Sequence, residues 1–384
     1  MTFLITTQEI EGLEKDFNHC ITSKFKFFYD DFEEISEGLY IKTELDEDFP
    51  SNIDQLSEKL KGRFTAIKLD GSLKIVRDIF GSKPVYFVEE NGIHISDRIK
   101  PLMEFTDAEV SDDVALDYLH SGLVDHRRET FFSGVKQLRP SETLKYEGEL
   151  EISSDYSFLG NKGNTYHDIR EELQKKMPEG DFVCPVSGGL DSSIIASLSD
   201  DADFLYAGFD IDTGDNEYYQ ELNQSLGLEV TELEFQVEDL IEFIDESLEI
   251  NEYPTGMIAI QALQMLHCSI HEKGKSRVVD GAGADEIFLG YPRFIPYYIA
   301  RKFDEGLFQG LNAAKNYLYQ LDYHGRREIL RLITPYSNNP KIPEIDHKPD
   351  YKRPENLEEA FEKNFRVYNF PHILHARDKS TEFY

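Results

Sequence analysis

The run Ser187-Gly188-Gly189-Leu190-Asp191-Ser192-Ser193 carries the sharpest chemical signal in the sequence. Two glycines let the backbone turn tightly and bring N–H groups close to a ligand. The run follows the apolar segment DFVCPV and opens DSSIIASLSD. It therefore joins a strand to a helix start, where unpaired N–H groups and a positive dipole end favour an anion. Ser187, Ser192 and Ser193 add hydroxyl donors. Asp191 is out of place beside an anion alone, because its charge would repel it. It fits if it holds Mg²⁺, which bridges carboxylate and phosphate oxygens. An ordinary Gly-Gly turn is the bland alternative; the full run in strand–loop–helix context favours a nucleotide site. The pattern is neither GxxxxGK[ST] nor GxGxxG. It would lie at the carboxyl end of a parallel strand, where open α/β sheets bind ligands.

A second pair, Asp285-Glu286, follows the apolar VVD and the stretch GAGA. Adjacent carboxylates after a Gly-rich turn suit a metal ion, although an acidic helix start looks the same in isolation. Other candidates are weaker. His267 and His271, with Cys268 between, lack a third ligand or an HExxH glutamate. Cys184 lies inside a strand and reads as core packing. The acidic runs DDFEE and ELDEDF read as solvated faces.

The elements that must position these residues alternate. After DFVCPVS comes the helix DSSIIASLSD, the strand DFLYAGFD, the helix NEYYQELNQSLG and the strand EVTELEF. Helices then run through VEDLIEFIDESLEI and GMIAIQALQMLHCSIHEKG before the strand SRVVDG. This order predicts a doubly wound parallel sheet of α/β class, covered on both faces. Thr165 and Asp168 suggest a capping box for the helix YHDIREELQKKM. The part before it is different. LKIVRDIF, PVYFVEEN, GIHISD and ETLKYEG read as short strands, interrupted by the helical stretches IDQLSEKLKG and DDVALDYLHSG. That is an α+β pattern. FLGNKGNTY at residues 158–166 is the linker candidate, so the expected domains are 1–160 and 161–384.

Composition narrows the class. The chain has 384 residues, 40% of them hydrophobic, which excludes a wholly disordered chain. A formal net charge of −34 argues against nucleic acid or anionic membrane as partner. Three cysteines (Cys20, Cys184 and Cys268) are too few and scattered for a disulfide framework or a zinc site. No apolar run suits a membrane span, and MTFLITTQEIEG lacks a basic n-region. A cytoplasmic location is expected.

The two chemical motifs resemble the asparagine synthetase family of the glutamine-hydrolysing type. SGGLDSS is similar to its pyrophosphatase loop, and VVDGAGADEIFLGY at 278–291 is similar to its second signature, SGxGxDExFxGY. The resemblance implies an ATP-pyrophosphatase (PP-loop) domain that binds ATP and Mg²⁺ and activates a carboxylate as an acyl-adenylate for attack by an amine. It carries nucleotide contacts onto residues 187–193, Gly281 and Gly283, and near-pyrophosphate and metal roles onto Asp191, Asp285 and Glu286, with Asp191 and Asp285 as the metal ligands. Ala207-Gly208 resembles the segment that meets adenine, and Glu252-Tyr253-Pro254 resembles the family's Asp-Glu-Pro loop.

The first domain resembles the family's glutaminase (Ntn-type) half. GRFTA at 62–66 and RDIFGSKPVYF at 77–87 match its GxFA and RDxxGxKPxYY stretches. Three departures matter. Residue 2 is Thr where the family's nucleophile is Cys, and the Arg-Gly-Pro-Asp loop is missing, so an inactive glutaminase shell is expected. Ala282 stands where the family carries Glu, Asp or Tyr. The family continues past the stretch HARDKS at 375–380 to a lysine that neutralises transition-state charge; Lys379, Arg293 and Arg301 are the candidate substitutes.

These readings converge on an amide ligase that takes a small carboxylate, aspartate by default, and an amine or ammonia. The alternatives are a non-catalytic relative that binds nucleotide or a partner, one chain of a split synthetase, and intramolecular amidation of the β-lactam synthetase kind. A partner glutaminase, a chain supplying the remaining C-terminal segment, and a homodimer are the assemblies this reading admits.

Overall fold

The computed structural model describes residues 3–8, 17–30, 32–43, 52–53, 62–154, 166–199, 202–210, 215–255, 257–291, 294–317, 354–366 and 369–383. The chain divides into two compact units: Met1–Phe158 with Pro292–Asp378, and Leu159–Tyr291 with Lys379–Tyr384. Among the described residues no helix is long and apolar enough to cross a membrane.

The first unit is built on β1 (Phe3–Thr6), β2 (Asn18–Ile21), β3 (Lys26–Tyr29), β4 (Glu33–Ser36), β5 (Leu39–Thr43), β6 (Phe64–Leu69), β7 (Leu73–Arg77), β8 (Tyr86–Val88), β9 (His94–Ser96), β10 (Lys136–Gln137), β11 (Glu142–Tyr146) and β12 (Leu150–Ser154). They form two six-stranded sheets, ordered β10-β8-β9-β1-β3-β2 and β12-β11-β7-β6-β5-β4. Neighbouring strands run antiparallel. The strand period of two explains the packing. Ile67 and Leu69 of β6 join Ile75 of β7 against Phe3, Ile5 and Phe27 of the other sheet. Phe64 and Ala66, on the opposite face of β6, pack with Leu39, Ile41 and Val76. The predicted helix DDVALDYLHSG forms as Asp112–Ser121 and ends on Gly122 in the left-handed region. Most of IDQLSEKLKG lies outside the described residues.

The RDIFGSKP turn after β7 is held by its own first two residues. Arg77 is buried and donates to the carbonyls of Lys83 (2.6 Å), Gly81 (2.5 Å) and Leu138. Asp78 accepts from the Phe80 N–H (2.7 Å), the Ser82 N–H (3.1 Å) and the Ser82 hydroxyl (2.6 Å). Beside it, the buried Asp125 pairs with His375 (3.2 Å) and His372 (3.4 Å).

The second unit contains the parallel strands β13 (Val183–Pro185), β14 (Asp203–Phe209) and β15 (Val230–Phe235), in that order across the sheet. Val278 adds a parallel bridge to Val183 on the free side of β13. Helices cover both faces. Leu190–Ala196 and Asp215–Leu226 pack Ile195, Ala196 and Tyr219 on Phe182, Cys184 and Val186. Ile258–Glu272 packs Leu266 and Ile270 on Val183, Leu205 and Val278. Burial on both faces is why DFVCPV reads as an unbroken apolar run.

Two elements differ from the sequence expectation. VEDLIEFIDESLEI forms two helices, Val237–Glu242 and Ile244–Asn251. Phe243 between them has ψ near −2°, away from the α-helical value, and this interrupts the helix there. SRVVDG contributes the single bridge at Val278 and no longer ladder.

Candidate functional site

The strand order fixes where a ligand can sit. The connection from β13 moves to β14 on one side, whereas Val278 lies on the other side of β13. The order reverses between β13 and Val278, and ligands bind at the carboxyl ends of strands at such a switch point. The two chemical motifs follow these two positions in the chain.

The first loop runs directly from β13 into the seven-residue helix Leu190–Ala196. Gly188 has φ +77°, and a Cβ there would collide with the backbone of Tyr218 and Tyr219. Only glycine allows the loop to lie so close to the neighbouring helix. The hydroxyls bond within the loop. Ser187 N–H donates to Ser192 Oγ (3.2 Å), Gly189 N–H to Ser187 Oγ (3.3 Å), and Ser193 Oγ to the Gly189 carbonyl (2.8 Å). Ser192 Oγ also donates to that carbonyl at 3.1 Å. Rotation about each Cβ–Oγ bond can redirect these hydroxyls to an incoming oxygen. Leu190 is 76% exposed, so the mouth of the loop is open.

The second motif lies directly on the first. A Cβ on Gly281 would fall 2.6 Å from Asp191 Cβ and 3.1 Å from the Ser192 nitrogen. Glycine at 281 is what allows the two turns to touch. Asp285 packs over Gly290, and its charge reaches Asp191. Burial, with the Asp285 charge second, pushes the Asp191 carboxyl above the ordinary carboxylate range. Gly283 sits in the left-handed region at the start of the turn of helix Ala284–Ile287. Ala207 and Gly208 lie towards the carboxyl end of β14, paired with Leu233 and Glu234.

Glu286 is turned elsewhere. It is 2% exposed and accepts from the Tyr291 hydroxyl at 2.6 Å. The adjacent carboxylates thus differ: the Asp285 charge acts on Asp191, whereas Glu286 is bonded to Tyr291. Among the described residues no group of three or more His, Cys, Asp or Glu side chains could hold a metal ion. An Asp191 carboxyl pushed up by burial and by the charge of Asp285 does fit Mg²⁺, which takes one or two carboxylates and completes its shell with phosphate oxygens and water.

Sequence reasoning missed Asp280. Its Oδ1 accepts from the Ala282 N–H at 3.0 Å, beside the Gly281 contact with Asp191. An aspartate two residues before an alanine carries no signal of this in spacing alone. Burial, opposed by a Ser199 hydrogen bond and assisted by the Asp280 charge, pushes the Cys184 thiol up to about 11. Cys184 is therefore a neutral core residue.

The candidate cations fall as follows. Lys379 is fully buried; its Nζ donates to the Asn251 carbonyl (2.7 Å), lies 3.5 Å from Glu252 Oε2 and sits 4.7 Å over the Tyr253 ring. It serves the Glu252-Tyr253-Pro254 loop, where Glu252 holds φ +64°. Arg301 pairs with Glu358 at 2.7 Å. His267 meets Ser380 Oγ at 3.1 Å and is buried, whereas His271 is exposed. Thr2, Thr165 and Arg293 lie outside the described residues, as does the Asp168 side chain.

Two family models match the chain. The asparagine synthase family model matches residues 173–383, and a glutamine amidotransferase domain model matches residues 52–157. These matches place the chain in the class of carbon–nitrogen ligases and amidotransferases related to asparagine synthetase. The chain belongs to the glutamine-hydrolysing asparagine synthetase family, with an N-terminal glutaminase-like domain and a C-terminal synthetase domain.

Over 279 residues the chain is 27% identical to a protein of Methanocaldococcus jannaschii provisionally named glutamine-hydrolysing asparagine synthetase 1, covering 65% of this chain and 48% of the relative. It is 24% identical over 277 residues to the amidase chyE of Penicillium rubens, covering 61% and 40%. The chain thus spans less than half the length of these relatives. The glutamine-dependent NAD+ synthetase of Acinetobacter baumannii, solved with ADP, matches 48% of this chain and 43% of its own at 12% identity, with a TM-score of 0.25. That likeness is too low to carry an argument.

Proposed function

We propose that the second unit binds ATP with Mg²⁺ and forms an amide, releasing AMP and pyrophosphate. The observation that carries this is the seating of Gly281 on Asp191 and Ser192, which brings Asp285 to Asp191 at the switch point of the parallel sheet. The 187–193 loop supplies N–H and hydroxyl donors for the phosphates. Asp191 and Asp285 would hold Mg²⁺, which would supply positive charge to the phosphates when bound. Ala207 and Gly208 offer a small-residue backbone edge for adenine. Aspartate is the default carboxylate, and ammonia is the amine, taken from solution or from a partner glutaminase. The bound carboxylate is held for in-line attack on the α-phosphorus, and the amine is then held against the acyl-adenylate. The test is pyrophosphate release from ATP and aspartate, with ammonium and with glutamine. Release that requires ammonium and ignores glutamine is the expected result. Nucleotide binding with no turnover for any carboxylate would establish the non-catalytic alternative.

A further inference from the structure

We infer that the stacked pair Tyr206 and Tyr219 is a positioning device that sets the spacing between the phosphate loop and the base edge, a role that rests on the ATP reading above. A nucleotide binds at two ends joined by a ribose. Holding both ends at once multiplies their affinities only when the two subsites stand at the span of the ligand. The phosphate loop opens the helix that follows β13, whereas the proposed base edge, Ala207-Gly208, lies on β14. Their separation must be held if one ligand is to span them.

Tyr219, on the helix Asp215–Leu226, reaches both. Its backbone lies against the loop: a Cβ on Gly188 would collide with the Tyr219 nitrogen and the Tyr218 carbonyl. Its ring stacks on Tyr206, with centroids 3.8 Å apart and planes 6° from parallel. Tyr206 immediately precedes Ala207, and its ring leans along the strand over Gly208, where a Cβ would lie 3.1 Å from a ring carbon. The Tyr219 hydroxyl donates to Glu232 Oε1 at 2.7 Å, and Glu232 stands opposite Tyr206 in the sheet register. Burial, then the bond to Glu232 and its charge, pushes that hydroxyl up to about 12, so it remains a donor at neutral pH. Tyr219 is 2% exposed and packs among Phe182, Cys184 and Val186, so its ring cannot swing away without opening that core. One residue therefore ties the loop after β13, the edge of β14 and strand β15 to a single helix.

The test is calorimetric titration at millimolar Mg²⁺ with two probes: ATP, and inorganic tripolyphosphate, which lacks the base and ribose. Tyr219→Leu removes the stack and leaves the backbone contact with Gly188. It should weaken ATP about tenfold and tripolyphosphate by no more than about twofold. Tyr206→Leu, at a partly exposed strand position, should do the same, and it carries the test if Tyr219→Leu fails to fold. The double variant should bind ATP within about twofold of the weaker single variant, because either substitution alone abolishes the stack. Tyr219→Phe keeps the rings stacked and gives up the Glu232 bond, so its ATP affinity should fall between the native and leucine values. Equal weakening of both probes would reduce the pair to a support for the loop and overturn the inference. Unchanged ATP affinity in the leucine variants would also overturn it. A native chain that binds neither probe is a different failure, because it removes the ATP reading itself and leaves the pair no ligand to span.

Discussion

Two turns in this molecule are built from similar materials and use them in opposite ways. The turn after β7, in the first unit, and the paired turns after β13 and Val278, in the second, both combine glycine, aspartate and serine. Around β7 each charge is answered from within. Arg77 takes backbone carbonyls, Asp78 takes Phe80 and Ser82, and Asp125 takes two histidines. In the second unit the charge of Asp285 acts on Asp191, neither pairs with a cation among the described residues, and the loop is partly open to solvent. A polar cluster that satisfies itself stabilises the fold, whereas one that leaves like charges facing each other awaits a ligand. The family likeness around RDIFGSKP is therefore a likeness of folding residues.

Four substitutions sharpen that contrast. Arg77→Met should cost about 3–5 kcal/mol of unfolding free energy, because it strips three carbonyls and leaves buried acids uncompensated. Denaturant unfolding measures this, and a cost below about 1 kcal/mol would show that the cluster is not what holds the turn. Asp191→Asn should act the other way. Loss of a charge-stabilising group should lower ATP–pyrophosphate exchange by about 10²–10³-fold. Stability without ligand should hold or rise, because the repulsion with Asp285 is gone.

Asp125→Asn tests the first unit by pH. Burial alone would raise the Asp125 carboxyl, but the charges and hydrogen bonds of His375 and His372 outweigh it and hold the group well below its ordinary value. A depressed carboxylate stabilises the fold above its unfolded value near 3.9 and loses that contribution as pH falls through the folded value. The native chain should thus exceed the variant by about 2 kcal/mol at neutral pH. The gap should close with acidification below about pH 4. A constant gap across pH would remove the ion-pair explanation. Ser192→Ala should be the mildest, weakening ATP by about 0.5–1 kcal/mol, read by titration calorimetry, since neighbouring donors remain.

Much of this was legible in the sequence, for a physical reason. The parallel sheet shows as apolar runs that alternate with helical periods, because both faces are buried. The loop after β13 shows as SGGLDSS, because a tight turn against Tyr218 and Tyr219 demands glycine at 188. What spacing could not give is direction. Asp285 and Glu286 are neighbours in the chain, yet the first packs over Gly290 and the second bonds Tyr291. Lys379 and Asn251 lie far apart in sequence, so their contact leaves no local trace. The linker candidate at 158–166, apart from Tyr166, and the capping box at Thr165 lie outside the described residues.

The most direct measurement is calorimetric titration of the chain with ATP at millimolar Mg²⁺, repeated with the cation chelated and with Asp191→Asn. Saturable binding in the native chain that weakens sharply in both other conditions is the predicted result. No binding, or binding indifferent to both the cation and Asp191, would contradict the claim that these facing carboxylates and their serine loop hold a metal-bound triphosphate.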